Sequence, residues 1–134
     1  MNYRNFFKIF AIGALGYSII EVLWRGYTHW SMSITGGFCF SALCNLYKKM
    51  SKTSHLMKKC VCGSIIITAT EFISGVTFNK VLRLNVWDYS KNKLNIAGQI
   101  CPLFSFLWCI LCLPVTFVCN FLNKTAWIRV TFLI

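Results

Sequence analysis

Glu21, Glu71 and Asp88 are the entire acidic complement of a 134-residue chain that carries 14 lysines and arginines. Glu21 and Glu71 lie inside long apolar runs, and Asp88 lies in a polar stretch between two such runs, beside Trp87. A charge at the centre of a bilayer costs on the order of 2.5–3.5 kcal/mol on insertion scales, so a carboxylate kept there is first read as a ligand, ion or proton site. Glu21 stands four residues before Arg25, which puts both on one helix face within pairing reach. Tyr17 and Gly13 continue that face backwards. Glu71 shares a stripe with Ser64, Thr68, Gly75 and Asn79, and Cys101, Ser105, Trp108 and Cys112 repeat the same helical spacing further on. Three stripes of polar or small residues can converge on one interior. The chemistry expected of them is a cavity for a polar or cationic solute, lined by Glu21, Glu71 and Asp88.

The segment around Asp88 adds hydrogen-bonding groups. Tyr89, Ser90 and Asn95 are close enough in sequence for a turn to satisfy the Asp88 oxygens locally. Gln99 is expected to reach Glu71 or Ser105. The competing reading gives all these groups a structural role, with the carboxylates paired to Arg25, Lys80 or Arg83. Interhelical hydrogen bonds of this kind are worth only about 0.6 kcal/mol each on average.

Other chemistries find little footing. GxSxG, HExxH, Walker and glycine-rich phosphate motifs are absent from the sequence. Cys109 and Cys112 form a CxxC, but at helical spacing inside an apolar run and without a second pair or a nearby His. Most of the eight cysteines lie in such runs, and there they read as small apolar packing residues. The expectation is therefore no metal and no cofactor. His29, within Gly26-Tyr27-Thr28-His29-Trp30, reads as an interfacial residue. An acid–base pair of Glu71 and His29, acting on a lipid substrate, stays open as a third function class.

These groups must be positioned by helices in a membrane. Hydrophobic residues make up 57% of the chain and charged ones 13%, about half the charge of an ordinary soluble domain. So small a soluble fold has too little interior to hide that apolar surface. Four apolar runs cover 6–24, 30–47, 60–82 and 100–122, near the length of about 20 residues that a span needs. The expected fold is all-α: a single domain over 1–134, a polytopic bundle of four transmembrane helices, with a partly re-entrant or interfacial segment between the third and fourth. The first run reads as a retained signal anchor. The second is the weakest, and its Ser33, Gly37 and Ser41 make a small-residue face for close packing. Ile65-Ile66-Ile67 favours a strand locally, but its run is too long for one. Pro102 opens the fourth run, and Pro114 within it is expected to kink the helix. Trp87 and Tyr89 read as interfacial anchors, and the tail from Asn123 to Ile134 as an interfacial segment.

The net charge of +11 is distributed between the runs. That pattern excludes a nucleic-acid partner, since no groove-reading motif accompanies it, and suits anionic headgroups. Arg4, Lys8, Lys48, Lys49, Lys52, Lys58, Lys59, Lys124 and Arg129 would lie on one side, against Arg25, Lys80, Arg83, Lys91 and Lys93 on the other. By the positive-inside rule both termini are cytoplasmic, in the cell (plasma) membrane. The lipid bilayer is the first partner expected. A second copy of the chain or a partner membrane subunit is the next.

The motifs also carry a resemblance. Glu71-Phe72, Gly75, Asn79, Trp87-Asp88-Tyr89-Ser90, Asn95, Gly98-Gln99-Ile100-Cys101, Phe104-Ser105 and Trp108 resemble the signature of the CmpB-type ABC-transporter permease family, small bacterial multi-pass membrane proteins. Glu21, the stretch from Arg25 to Met32, and Gly36-Gly37 extend the likeness, which covers roughly residues 17 to 115. The resemblance implies transport, with Glu21, Glu71, Trp87, Asp88, Tyr89, Ser90, Asn95, Gly98, Gln99, Ser105 and Trp108 as its motif residues. With no Walker motif in the chain, an ATP-driven step would have to come from a partner.

Overall fold

The computed structural model describes residues 3–50 and 53–131, with side chains described through Lys124. Lys52, Arg129 and the end of the tail, which entered the charge count above, lie outside the described residues or side chains. Four helices follow one another: α1 (Tyr3–Arg25), α2 (Trp30–Lys49), α3 (Leu56–Gly75) and α4 (Pro102–Thr131). A π-helical turn, Val76–Val81, prolongs α3, with the Leu82 amide bonded to the Thr77 carbonyl at 3.0 Å. Among the described residues there is no strand, only an isolated bridge between Ile96 and Ile100. The chain is thus an all-helical protein.

Three helical segments, Tyr3–Arg25, Leu56–Val81 and Pro102–Lys124, are long and apolar enough to cross a membrane. They present large apolar side chains outward: Leu23 is 82% exposed, Phe106 64% and Phe121 69%. In water such a surface would be a liability, and in lipid it is the normal exterior. α2 falls below that hydropathy for a reason visible in its packing. It lies against α1, α3 and α4, and buries Ser31, Gly36, Gly37, Ser41, Leu43, Cys44 and Tyr47 among others. On its packed faces small residues let the neighbours approach, and only a narrow stripe of Trp30, Ile34 and Phe38 is left outward.

α1 packs chiefly on α2, and α3 on α4. At Gly36 a Cβ would stand 2.5 Å from the Tyr17 Cβ, so only glycine allows α1 this close. Ser33 and Ser18 hydrogen-bond across the same interface at 2.6 Å. The α1 glycine at 16 differs: a Cβ there would meet nothing within 4 Å. Between α3 and α4, the Ser64 hydroxyl donates to the Ser105 carbonyl at 2.6 Å, and Thr68 and Ser105 share a 2.9 Å hydrogen bond.

Two apolar clusters result. One joins Leu43, Cys44, Tyr47, Cys60, Ile67, Cys112 and Cys119 towards the basic end. The other joins Met32, Val86 and Trp87 beneath the long loop at the opposite end. Cys44 and Cys119 are disulfide-bonded, which corrects the packing role expected of them; Cys109 and Cys112 are free. α4 runs helically through Pro114 to Thr131, so the backbone after Asn123 continues that helix and is no separate segment.

The two glycines give a direct test of this packing. Gly36→Ala is expected to destabilise the detergent-solubilised protein by about 1–3 kcal/mol through overpacking. Gly16→Ala is expected to be neutral or stabilising by up to about 1 kcal/mol through helix propensity. Thermal unfolding of both variants checks the contrast, and equal losses would contradict the α1–α2 contact.

Candidate functional site

The ends of α1 and α3 and the starts of α2 and α4 meet at one end of the bundle, and the loop from Leu82 to Cys101 folds over them. The π-helical turn brings Asn79 to face that loop, where its side chain is 8% exposed. Its Nδ2 donates to the Trp87 carbonyl at 3.0 Å and to Gln99 Oε1 at 2.8 Å, while its Oδ1 accepts from the Val86 amide at 2.7 Å. The Trp87 indole then donates to the Gln99 carbonyl at 3.1 Å. One amide side chain thereby joins both limbs of the loop to α3. Trp87 is buried, which corrects its reading as an interfacial anchor.

Within the loop, Asn95 Nδ2 donates to the carbonyls of Ser90 and Asn92, and its Oδ1 accepts from the Gly98 amide at 3.0 Å. Leu94, Ala97 and Gly98 adopt positive φ, as the tight return requires. At Gly98 the φ of +69° is one that glycine takes freely. Asp88 is exposed and accepts from the Ser90 amide and the Ser90 hydroxyl, each at 2.9 Å. These bonds, the backbone one first, hold its carboxyl below its ordinary pKa, with Lys80 and Lys91 adding to the effect. Because the folded value is depressed, whatever Asp88 contributes to the loop is present above the ordinary carboxylate pKa. It is lost only as pH falls through the folded value.

Glu71 lies deeper. It is 5% exposed and held by two neutral donors: the Tyr89 hydroxyl to Oε1 at 2.8 Å and the Trp108 indole to Oε2 at 2.9 Å. Phe104 stacks on Tyr89 with ring centroids 4.4 Å apart and steadies it. Gln99 does not reach Glu71 or Ser105, as its chain position suggested. Its Oε1 is taken by Asn79 and its Nε2 donates to the Ala97 carbonyl at 2.9 Å. Glu21 pairs with Arg25, the only ion pair among the described residues, and Arg25 Nη1 also donates to the Val86 carbonyl at 2.9 Å. This pair ties the end of α1 to the same loop.

The three carboxylates therefore do not share one cavity. Glu71 lines an apolar cavity of about 240 Å³ between the helices, with Tyr17, Met32, Thr70 and Trp108. Glu21 and Arg25 line a neighbouring one of about 300 Å³ between α1 and α4. Asp88 borders a polar hollow of about 470 Å³ on the loop, with Asn79, Lys80, Ser90, Asn95 and Gln99. Trp87 walls all three. His29 is the N-cap of α2, its Nδ1 facing the Ser31 amide and hydroxyl. No hydrogen bond joins it to Glu71 among the described residues. Nor do three His, Cys, Asp or Glu side chains gather there as a metal site.

Residues 7–132 match the family described as Putative ABC-transporter type IV, the CmpB family. The chain belongs to this family. No curated protein and no solved structure is similar enough to count as a match. In this CmpB-family protein the Trp-Asp-Tyr-Ser and Gly-Gln-Ile-Cys blocks form the two limbs of the loop, and Asn79 joins them.

Asn79→Leu keeps the branched side-chain shape and removes all three bonds. It would strand the Val86 amide, the Trp87 carbonyl and Gln99 Oε1, at about 1–3 kcal/mol for each group left buried. The variant is expected to insert in the membrane, to unfold at lower temperature, and to be cut by protease between residues 83 and 101. A loop as resistant as in the parent would show that Asn79 does not hold it.

Proposed function

We propose that this chain is a four-span membrane subunit of a transport system, with Glu71 as its site for a polar or cationic solute. In this reading α2 is the fourth span, packed on the other three helices with a narrow apolar stripe outward. Both termini are cytoplasmic in the plasma membrane, and the loop caps the outer end as a partly re-entrant segment. The observation that carries the proposal is the company Glu71 keeps. Glu21 has Arg25 and Asp88 has Ser90, whereas Glu71 is buried at a cavity wall with neutral donors alone and no cation within pairing distance among the described residues. A carboxylate has room for about four donors, so two further ones can come from a solute. Membership of the ABC-transporter type IV family supports transport as the setting, with the ATPase supplied by a partner.

A second reading is favoured by the loop itself. Tyr89 and Trp108 bind Glu71 from two elements, as a purely structural carboxylate would be bound. The protein is then a scaffold or accessory subunit whose acids fix the fold.

Glu71→Gln separates the two. Purified protein in lipid nanodiscs is heated alone and with a panel of organic ammonium ions. The solute reading predicts a midpoint raised by several degrees with at least one cation, and loss of that shift in Glu71→Gln. The scaffold reading predicts a lower midpoint for the variant and no cation-dependent shift in either protein.

A further inference from the structure

We infer that the space between α1 and α4 is a binding cleft for a single-chain amphiphile, with an alkyl chain along its walls and a protonated amine at Glu71. The inference deepens the solute reading above and rests on it for the headgroup. Three independent features point to this occupant.

The first is the division of polarity. The cavity on which Glu71 opens is walled almost wholly by apolar side chains, among them Ile12, Ile20, Leu111 and Val115. A small hydrated solute would gain nothing from such walls, whereas a chain is at home there. From Trp108 to Val118, both on its wall, α4 rises about 15 Å, enough for an extended chain of about twelve carbons.

The second is access. α1 packs chiefly on α2 and α4 on α3, and a second cavity containing Ile20, Trp24, Leu107 and Ile110 continues the first between α1 and α4. Trp24 and Ile110 are exposed on the flank that lipid would cover. The occupant can therefore enter sideways from the bilayer without crossing the capped end.

The third is Gly16. It lines the cavity, yet a Cβ there would meet nothing within 4 Å. Glycine in a helix interior costs about 1 kcal/mol relative to alanine, and close helix packing, which accounts for Gly36, does not account for Gly16. Its missing side chain leaves the cleft wide. Glu71 supplies the selectivity: a carboxylate with no cation paired to it favours a cationic donor over a carboxylate headgroup, which it would repel.

The test is photolabelling in nanodiscs with dodecylamine carrying a diazirine at the chain end, mapped by mass spectrometry. Gly16→Leu, which fills the cleft without a clash at its Cβ, serves as the blocking variant, with unfolding midpoints measured to confirm that it folds. The expected result is labelling concentrated on Ile12, Val115 and Val118. It should fall at least fivefold with excess dodecylamine, in Gly16→Leu and in Glu71→Gln, and hold with excess dodecanoate. Diffuse labelling of all lipid-facing helices, unchanged in Gly16→Leu, overturns the cleft. Competition by propylamine as strong as by dodecylamine overturns the chain site and leaves the cation reading of Glu71 intact. Labelling lost in Gly16→Leu but unchanged in Glu71→Gln overturns the amine assignment, and the cation reading of Glu71 falls with it.

Discussion

The Asn79 side chain is the point on which the capped end depends. A stretch of some twenty residues without regular structure leaves many backbone groups in need of partners. Asn79 has both a donor and an acceptor and places them between the two limbs of the loop, so that Val86, Trp87 and Gln99 are fixed by one group. The π-helical turn aims it there. An α-helical register through Val76–Val81 would rotate the end of α3 and bring another face towards the loop. Glu71, two helical turns earlier, acts from below through Tyr89, and the Glu21–Arg25 pair acts from the side through Val86. The loop is thereby attached to α1, α3 and α4, not laid over them.

The rest of the bundle obeys a different constraint. Three helices are long and apolar enough to span, and α2 is less apolar because most of its faces pack on the other three with small and polar residues. Gly36 lets α1 and α2 touch at backbone distance. α1 and α4 are left with a cleft between them, and Glu71, Glu21 and Arg25, which hold the loop, also border that cleft. Structure and candidate function thus occupy the same end of the molecule: Tyr89 and Trp108 orient Glu71, and the space beside them is what a ligand would fill.

Much of this arrangement was legible where it depended on helical period. The spacing of Glu21 and Arg25 implied their pairing. The stripe Ser64, Thr68 and Glu71 and the matching stripe through Ser105 and Trp108 do face each other, because both are set by 3.6 residues per turn, whereas Asn79 is turned to the loop by the π-helical turn. The loop was less legible. Trp87 beside a span resembles an interfacial anchor, and only its bond to the Gln99 carbonyl shows why it is buried. Gln99 is buried but bonds Asn79 and not Glu71, since the loop's return, with positive φ at Leu94, Ala97 and Gly98, brings it against Gly75 and Asn79 near the end of α3. The Cys44–Cys119 pairing spans 75 residues, and nothing local in the sequence distinguishes those two cysteines from the other six. The capping role of His29 had a faint signal in the following Ser31, but His is an uncommon N-cap.

The most direct test of the account is hydrogen exchange of the loop amides in lipid nanodiscs. If Asn79 and its neighbours clamp the loop, the Val86, Tyr89 and Gly98 amides, bonded to Asn79 Oδ1, the Gly98 carbonyl and Asn95 Oδ1 respectively, will exchange as slowly as amides in the interior of α3. Exchange of all three within seconds, at the rate of an open chain, would contradict the clamp and the site built upon it.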